Sequence, residues 1–149
     1  MQKAFTLIEL IFVILIIGVL TAVAVPKFSG LTDNAKISAE LSTAASVQVA
    51  LDSCHGEWII NEGSFTCGGS ISSDDLNSDG YPTSLGDSDT SPLNKILKNA
   101  DSIKWSKSSS NYYGPASNPS KGTTNCKEAK PCIGKYWEYN STAGTFTLN

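Results

Sequence analysis

The feature that most constrains this chain is an apolar run near its amino terminus. Residues 5–25 read FTLIELIFVILIIGVLTAVAV, and Glu9 is the one charged residue among these 21. As an α-helix the run would be about 30 Å long, which matches the hydrocarbon core of a bilayer. A core helix of a soluble protein would carry a polar face, and this run has none after Glu9. The sequence therefore predicts a membrane-spanning helix over residues 5–25.

Three interpretations of the apolar run follow from its residues. Lys3 gives a positive start and residues 22–24, Ala-Val-Ala, have the small-x-small form of a secretory cleavage site, so a cleaved signal peptide is one interpretation. A plain membrane anchor is the second. The third is a helix that assembles with other helices. Glu9 favours the third, because a carboxylate in an apolar helix is costly in lipid and usually has a functional partner.

The residues around Glu9 resemble a known processing motif. Residues 3–10, KAFTLIEL, are similar to the cleavage and methylation motif shared by type IV pilins and the pseudopilins of type II secretion systems. In that family a dedicated membrane peptidase cuts just before the Phe, and the new amino terminus is methylated. The resemblance implies a leader over residues 1–4 and a mature protein that starts at Phe5. Ala4 stands before the cut, where the family usually has Gly.

The same resemblance implies a role in assembly for Phe5 and Glu9. The methylated ammonium of Phe5 keeps its charge, and pairing with Glu9 of a neighbouring subunit removes most of the cost of burying either charge. We expect this pair to set the axial register of a helical filament built from copies of this chain together with related minor pilins. The inner membrane would hold the subunit before assembly, and a cell-surface or periplasmic filament would hold it afterwards.

The helix is expected to continue beyond the apolar run, over residues 26–53. Pro26 removes one helix hydrogen bond, so a kink or local melting is predicted there, and the resemblance implies melting on assembly. Apolar residues then recur at helical spacing, at Ile37, Leu41, Ala44, Val47 and Leu51. This stripe should lie buried across a sheet. Lys36, Glu40 and Asp52 are assigned to polar positions.

Residues 54–149 are predicted to form a small head that contains an antiparallel sheet. Strands are expected at 101–107, 135–139 and 145–148, and a hairpin loop at 140–144 joins the last two. A long helix packed on such a sheet is an α+β, pilin-like fold.

Two further segments of the head have sequence signals of their own. A short helix is predicted from Ser91, with Ser91 at the N-cap and Pro92 at the first helical position. Residues 106–125 are rich in Ser, Asn, Gly and Thr, so they are interpreted as a long surface loop.

Four cysteines lie outside the apolar run, at positions 54, 67, 126 and 132. An even number in a small exported domain predicts disulfides, and four cysteines allow three connectivities. Zinc binding would need paired close spacings or more histidines than His55. Local pairing is preferred, because short loops close most easily. The preferred pairs are Cys54 with Cys67 and Cys126 with Cys132.

Residues 75–80, DLNSDG, have the form that opens a calcium-binding loop. The twelfth position of such a loop is Gly86 here instead of a bidentate acid, although Asp87 is next to it. Pseudopilins that share the resemblance hold calcium in a head loop, whereas turns of this composition are more often free of metal. Calcium is thus a possible cofactor. Its candidate ligands are Asp75, Asn77, Asp79, the backbone carbonyl of Tyr81, and Asp87.

The composition excludes several functions. The chain has 149 residues, enough for one domain, and has 11 Lys and no Arg against 14 acidic residues, which argues against a nucleic-acid partner. It contains no P-loop or dinucleotide motif, and His55 is adjacent to a predicted disulfide, so no enzyme is expected. The leading hypothesis is a subunit of a type IV pilus for adhesion, motility or DNA uptake. The alternatives are a type II secretion pseudopilin and a membrane-anchored or secreted binding module that never polymerises.

Overall fold

The structure is a computed structural model that describes residues 5–61, 64–100, 104–126 and 129–149. Its elements, in chain order, are α1 (Leu7–Ile60), β1 (Thr66–Cys67), β2 (Ile71–Ser72), a single 3-10 turn (Ser73–Asp75), β3 (Ser106–Ser108), β4 (Asn111–Tyr113), β5 (Trp137–Asn140) and β6 (Thr145–Leu148). The fold is α+β, with one long amino-terminal helix and small antiparallel sheets. Two units can be distinguished, one ending at Asn34 and the other running over Ala35–Asn149.

The first unit contains the amino-terminal part of α1. Its most apolar stretch is long enough and apolar enough to cross a membrane, and none of that stretch is buried within the protein. The helix is continuous through Pro26, so the predicted local melting is absent from this structure. A proline ring costs the helix one hydrogen bond, and the bonds on either side remain to hold the turn.

The second unit begins with the rest of α1, which extends past residue 53 to Ile60. The buried positions of this half alternate at spacings of three and four residues, at Ile37, Glu40, Ala44, Val47, Leu51 and Cys54. Two predictions about this stripe are wrong. Leu41 is exposed (36%) and Glu40 is fully buried (0%). Because the step from Ala44 to Val47 is three residues, strict alternation makes the step before Ala44 four residues, which places residue 40, not 41, on the buried face.

A four-stranded antiparallel sheet covers this half of α1, with strand order β3-β4-β5-β6. Strand β6 lies at the predicted residues 145–148 and pairs with β5 through Tyr139↔Phe146 and Asn140↔Thr145, so the predicted hairpin is present. The strand predicted at 135–139 is displaced to Trp137–Asn140. Of the strand predicted at 101–107, residues 101–103 lie outside the described residues, and β3 begins at Ser106.

The prediction of a single long loop over residues 106–125 is wrong, because this segment begins with the hairpin of β3 and β4. One residue of this largely polar segment is buried and anchors it. Tyr112 is 3% exposed and packs edge-on against Phe146, with ring centroids 5.4 Å apart. This buried ring and the pairing of β4 with β5 hold a short, largely polar hairpin on the core.

The core lies between α1 and the sheet. Trp137 stacks on Phe146 at 5.3 Å, and Trp105 lies 5.9 Å from Phe146, so these rings and Tyr112 form one aromatic cluster of four. The cluster packs with the α1 side chains Val47 and Leu51. The aromatic face of the sheet therefore buries the apolar stripe of the helix, as expected for an amphipathic helix laid on a sheet.

The short helix predicted from Ser91 is wrong, since residues 92–96 form successive turns. One helical bond is present, from the Leu97 N–H to the Leu93 carbonyl, but the backbone groups of Lys95 and Ile96 bond to other segments. The N–H groups of Lys95 and Ile96 both donate to the carbonyl of Leu85, and the carbonyl of Lys95 accepts from Gly69 and Ser70. These tertiary hydrogen bonds take the place of a continuous helix and tie the loop after β1 to this segment.

Candidate functional site

The apolar run exposes its side chains over the whole described part of its length. Phe5 is 81% exposed, and the large apolar side chains that follow are exposed as well, namely Leu7, Ile8, Leu10, Ile11, Phe12, Val13, Ile14, Leu15, Ile16, Ile17, Val19, Leu20, Val23 and Val25. A continuous apolar surface of this size indicates contact with a membrane or with other protein surfaces.

Glu9 is placed by the first turn of α1. Its carboxylate accepts a hydrogen bond from the Thr6 hydroxyl at 3.1 Å and a longer one from the Thr6 N–H at 3.4 Å. Both donors belong to the same helix end and are neutral. The charge of Glu9 is therefore exposed on an apolar helix and can accept a cationic partner. Phe5 lies one turn away, and Ala4, the other predicted processing residue, lies outside the described residues.

Glu40 is the residue that sequence reasoning missed. One carboxylate oxygen accepts the N–H groups of Ala116 (2.6 Å) and Ser117 (2.9 Å), and the other accepts the Ser117 hydroxyl (2.6 Å) and the Trp137 indole N–H (2.8 Å). Four donors thus satisfy a fully buried carboxylate, which makes its burial tolerable. Glu40 ties the segment after β4 and the start of β5 to α1.

Gly114 is part of the same anchor. A Cβ at this position would collide with the Glu40 carboxylate, so the backbone can approach the helix only because residue 114 is glycine. The Gly114 N–H also donates to the Ser117 hydroxyl at 2.9 Å, which in turn donates to Glu40. One sequence signal for the burial of Glu40 existed, namely its place in the three-four alternation of apolar positions along α1.

Gln48 makes a second polar link between α1 and the sheet. Its side-chain amide donates to the Gly144 carbonyl at 2.9 Å and accepts the Phe146 N–H at 3.1 Å. One side chain therefore satisfies two backbone groups at the start of β6. Glu40 and Gln48 therefore fix the sheet on the helix at two positions along α1.

The cysteines form two disulfides. Cys54 is bonded to Cys67, and Cys126 is bonded to Cys132. The first bond ties α1 to β1, and the second closes a short loop before β5. These are the two local pairs among the three possible connectivities.

Several candidate calcium ligands already have hydrogen-bond or ion-pair partners within the protein. The Asp75 carboxylate accepts from the Ser72 N–H (3.0 Å) and hydroxyl (2.9 Å) and lies 3.2 Å from Lys95 Nζ. The hydrogen bond from the Ser72 backbone, followed by the Ser72 hydroxyl and Lys95, holds the pKa of Asp75 below its ordinary value. The Asp87 carboxylate accepts from the Asn94 amide at 2.7 Å.

The centre of the loop is closed in the same way. The Asn77 side-chain oxygen accepts the N–H groups of Asp79 and Tyr81, both at 3.0 Å, and the Tyr81 carbonyl accepts the Asn77 N–H at 2.9 Å. Among the residues that the structure describes, no group of three or more His, Cys, Asp or Glu side chains is placed to hold a metal. The side chains as arranged do not fit a calcium ion.

The glycine of the DLNSDG segment has a packing role. Gly80 has φ +76°, and a Cβ there would overlap the Trp58 indole. The His55 ring lies between Trp58 and Tyr81, with centroids 5.6 and 4.4 Å away. The loop is therefore seated on the aromatic end of α1.

Comparison with known proteins identifies the amino-terminal part of the chain. Residues 1–25 match the family described as the prokaryotic N-terminal methylation motif. A fimbrial protein of Neisseria meningitidis is 40% identical over 79 residues, which are 51% of this chain and 45% of that protein. The type IV narrow pilus major component PilA5 of Thermus thermophilus is 56% identical over 48 residues, 32% of this chain and 41% of that protein.

A third relative also matches only part of this chain. The type IV major fimbrial protein FimA of Dichelobacter nodosus is 37% identical over 54 residues, 36% of this chain and 35% of that protein. The matches thus span less than half the length of each of these relatives. No solved structure matches this chain. In its processing motif and the long helix that follows it, the amino-terminal part of this chain is similar to type IV pilins.

Proposed function

We propose that this chain is a structural subunit that polymerises into a type IV pilus after its leader is removed. The observation that carries the proposal is the exposed apolar helix with one carboxylate at Glu9, inside a segment that matches the methylation motif. The relatives quoted above are named as pilus or fimbrial proteins, which favours a pilus over a secretion pseudopilus. A binding module that never polymerises would have no use for Glu9.

In this proposal a membrane peptidase and methylase cut between Ala4 and Phe5 and methylate the new amino terminus. The inner membrane holds the apolar helix until assembly, and the cell-surface filament then buries it. The Glu9 carboxylate of one subunit pairs with the Phe5 ammonium of a neighbour, because neither charge is tolerated alone in an apolar core. Pro26, continuous with the helix in this structure, is the place where α1 would bend or unwind on assembly.

Replacement of Glu9 tests this proposal. Glu9→Gln keeps the size of the side chain and removes its charge, which would leave the neighbouring Phe5 ammonium unpaired. We expect normal export and cleavage, with filament yield in the sheared surface fraction reduced at least tenfold, the effect of about 1.4 kcal/mol. Glu9→Asp, which keeps the charge, is the matched control and should retain more filament than Glu9→Gln. Normal yield from Glu9→Gln would overturn the charge-pair mechanism.

A further inference from the structure

The charges of the head are separated along the sequence. Residues 52–89 contain eight acidic residues and no lysine, whereas residues 95–135 contain eight lysines and two acidic residues. The net charge of −3 conceals this division. Segregated charge on a small protein creates local fields that can steer association with a complementary surface.

Two lysines of this segment, together with Lys36 of α1, line one pocket. A pocket of about 270 Å³ is lined by Lys36, Lys104, Pro115, Asn118 and Lys121. In the described part of the chain, the ion pairs within 4 Å all involve Lys95, so none of these three ammonium groups is neutralised by a carboxylate. We call these residues the lysine pocket.

The lysine pocket is held in shape by α1. The Lys36 ammonium donates to the backbone carbonyl of Lys121 at 2.6 Å, and the Asn118 side chain accepts the Lys121 N–H at 3.0 Å. Glu40 is one turn after Lys36 and anchors the same loop through Ala116 and Ser117. The Lys36 side chain and the loop backbone that carries Lys121 are therefore in place before any ligand arrives, which lowers the cost of binding.

The negative surface is the loop of residues 74–89, which we call the acidic loop. It contains five aspartates, of which Asp75 and Asp87 lie within 4 Å of Lys95. Asp74 and Asp79 are exposed. Gly80 seats this loop against Trp58, and the Asn77 amide donates to the Ser141 carbonyl at 2.7 Å. The acidic loop is thus fixed at the carboxyl-terminal end of α1.

The lysine pocket and the acidic loop are far apart within one head. Lys36 and Trp58 are 22 residues apart on the same helix, which corresponds to about 33 Å. Opposite charges at opposite ends cannot satisfy each other within one subunit, but they can do so between subunits stacked head to tail. A contact between two different patches of the same protein extends into a filament when the rotation between subunits does not close into a ring.

We propose that the lysine pocket of one head receives the acidic loop of a second copy of this chain, as the contact between successive heads in the filament. The inference rests on the proposed function and adds the head surfaces to the helix contacts. Lys104 and Lys121 of one subunit pair with Asp74 and Asp79 of the next. The Lys36 ammonium keeps its hydrogen bond to the Lys121 carbonyl of the same subunit and so holds the pocket in shape.

Charge reversal tests the contact in the full-length protein. Lys104→Glu with Lys121→Glu is expected to reduce sheared filament at least tenfold while the amount of subunit in the envelope is unchanged. Asp74→Lys with Asp79→Lys should have the same effect, and the four substitutions together should restore filaments. Lys98→Glu, another exposed lysine outside the pocket, is the control and should assemble normally.

Zero-length carbodiimide cross-linking of wild-type filaments gives a direct readout. We expect peptides that join Lys104 or Lys121 to Asp74 or Asp79, and their loss in the reversed variants. Normal filaments from both reversed pairs, or cross-links from these lysines to other carboxylates only, would overturn this inference and leave the proposed pilus function standing. A wild-type chain that forms no filament would overturn both.

Discussion

At the scale of single residues, Glu40 shows how a charged side chain becomes part of a core. Two backbone N–H groups, a hydroxyl and an indole N–H surround its carboxylate, so the charge is solvated by the protein instead of by water. Its position in the three-four alternation of α1 was readable from the sequence. Its four donors come from residues 76 to 97 positions away, which a local pattern does not contain.

Glu40→Gln is expected to destabilise the head by about 2 kcal/mol, because an amide NH₂ would face donors that now share a carboxylate oxygen. Chemical unfolding of the full-length protein in detergent measures the change. Glu57→Gln, which alters an exposed carboxylate near the end of the same helix, is the control and should change the free energy of unfolding by less than about 0.5 kcal/mol. Equal effects of the two substitutions would contradict the anchoring role of Glu40.

Tyr112 gives the head a predicted sensitivity to alkaline pH. Burial raises the pKa of Tyr112 to about 12, above its ordinary value of 10.0. Because the folded protein holds the neutral phenol, this contribution to stability is complete below pH 10.0 and is lost as the pH rises towards about 12. Unfolding measured across this range should show a smaller loss for Tyr112→Phe than for wild type. An identical loss in both proteins would contradict this account.

At the scale of elements, the parts with a regular period were predicted and the irregular parts were not. The long helix and the β5–β6 hairpin follow from helical spacing and from aromatic strand residues on either side of a turn. The β3–β4 hairpin depends on one buried ring, Tyr112, among polar residues. The segment from Ser91 has helix signals, but backbone bonds to Leu85 and Gly69 override them. The DLNSDG segment has the sequence of a candidate calcium loop. In this structure it forms a turn that packs on aromatic rings.

The packing of the acidic loop can be tested with a pair of glycines. Gly80→Ala is expected to destabilise the head by more than about 1 kcal/mol, because alanine is strained at φ +76° and its Cβ would overlap Trp58. Gly56→Ala lies within α1 with open space around it, so it should stabilise the helix by up to about 1 kcal/mol. Thermal unfolding of both variants measures the difference. Unchanged stability in Gly80→Ala would mean that the loop is not seated on Trp58.

At the scale of the whole molecule, the chain combines two kinds of surface suited to polymerisation. The described part of residues 5–25 exposes apolar side chains and one carboxylate, which need a membrane or other helices around them. The head, residues 35–149, holds its sheet on α1 through Glu40 and Gln48 and has the lysine pocket and the acidic loop at separate places on its surface. A subunit of this kind is stable as a head while its helix awaits partners.

Polymerisation after leader removal can be tested by mass spectrometry of the amino terminus of protein recovered from sheared surface filaments. We expect a chain that starts at Phe5 and carries a methyl group on its amino nitrogen. Recovery of a chain that starts at Val25, in soluble exported protein, would mean ordinary signal-peptide cleavage and would contradict the account.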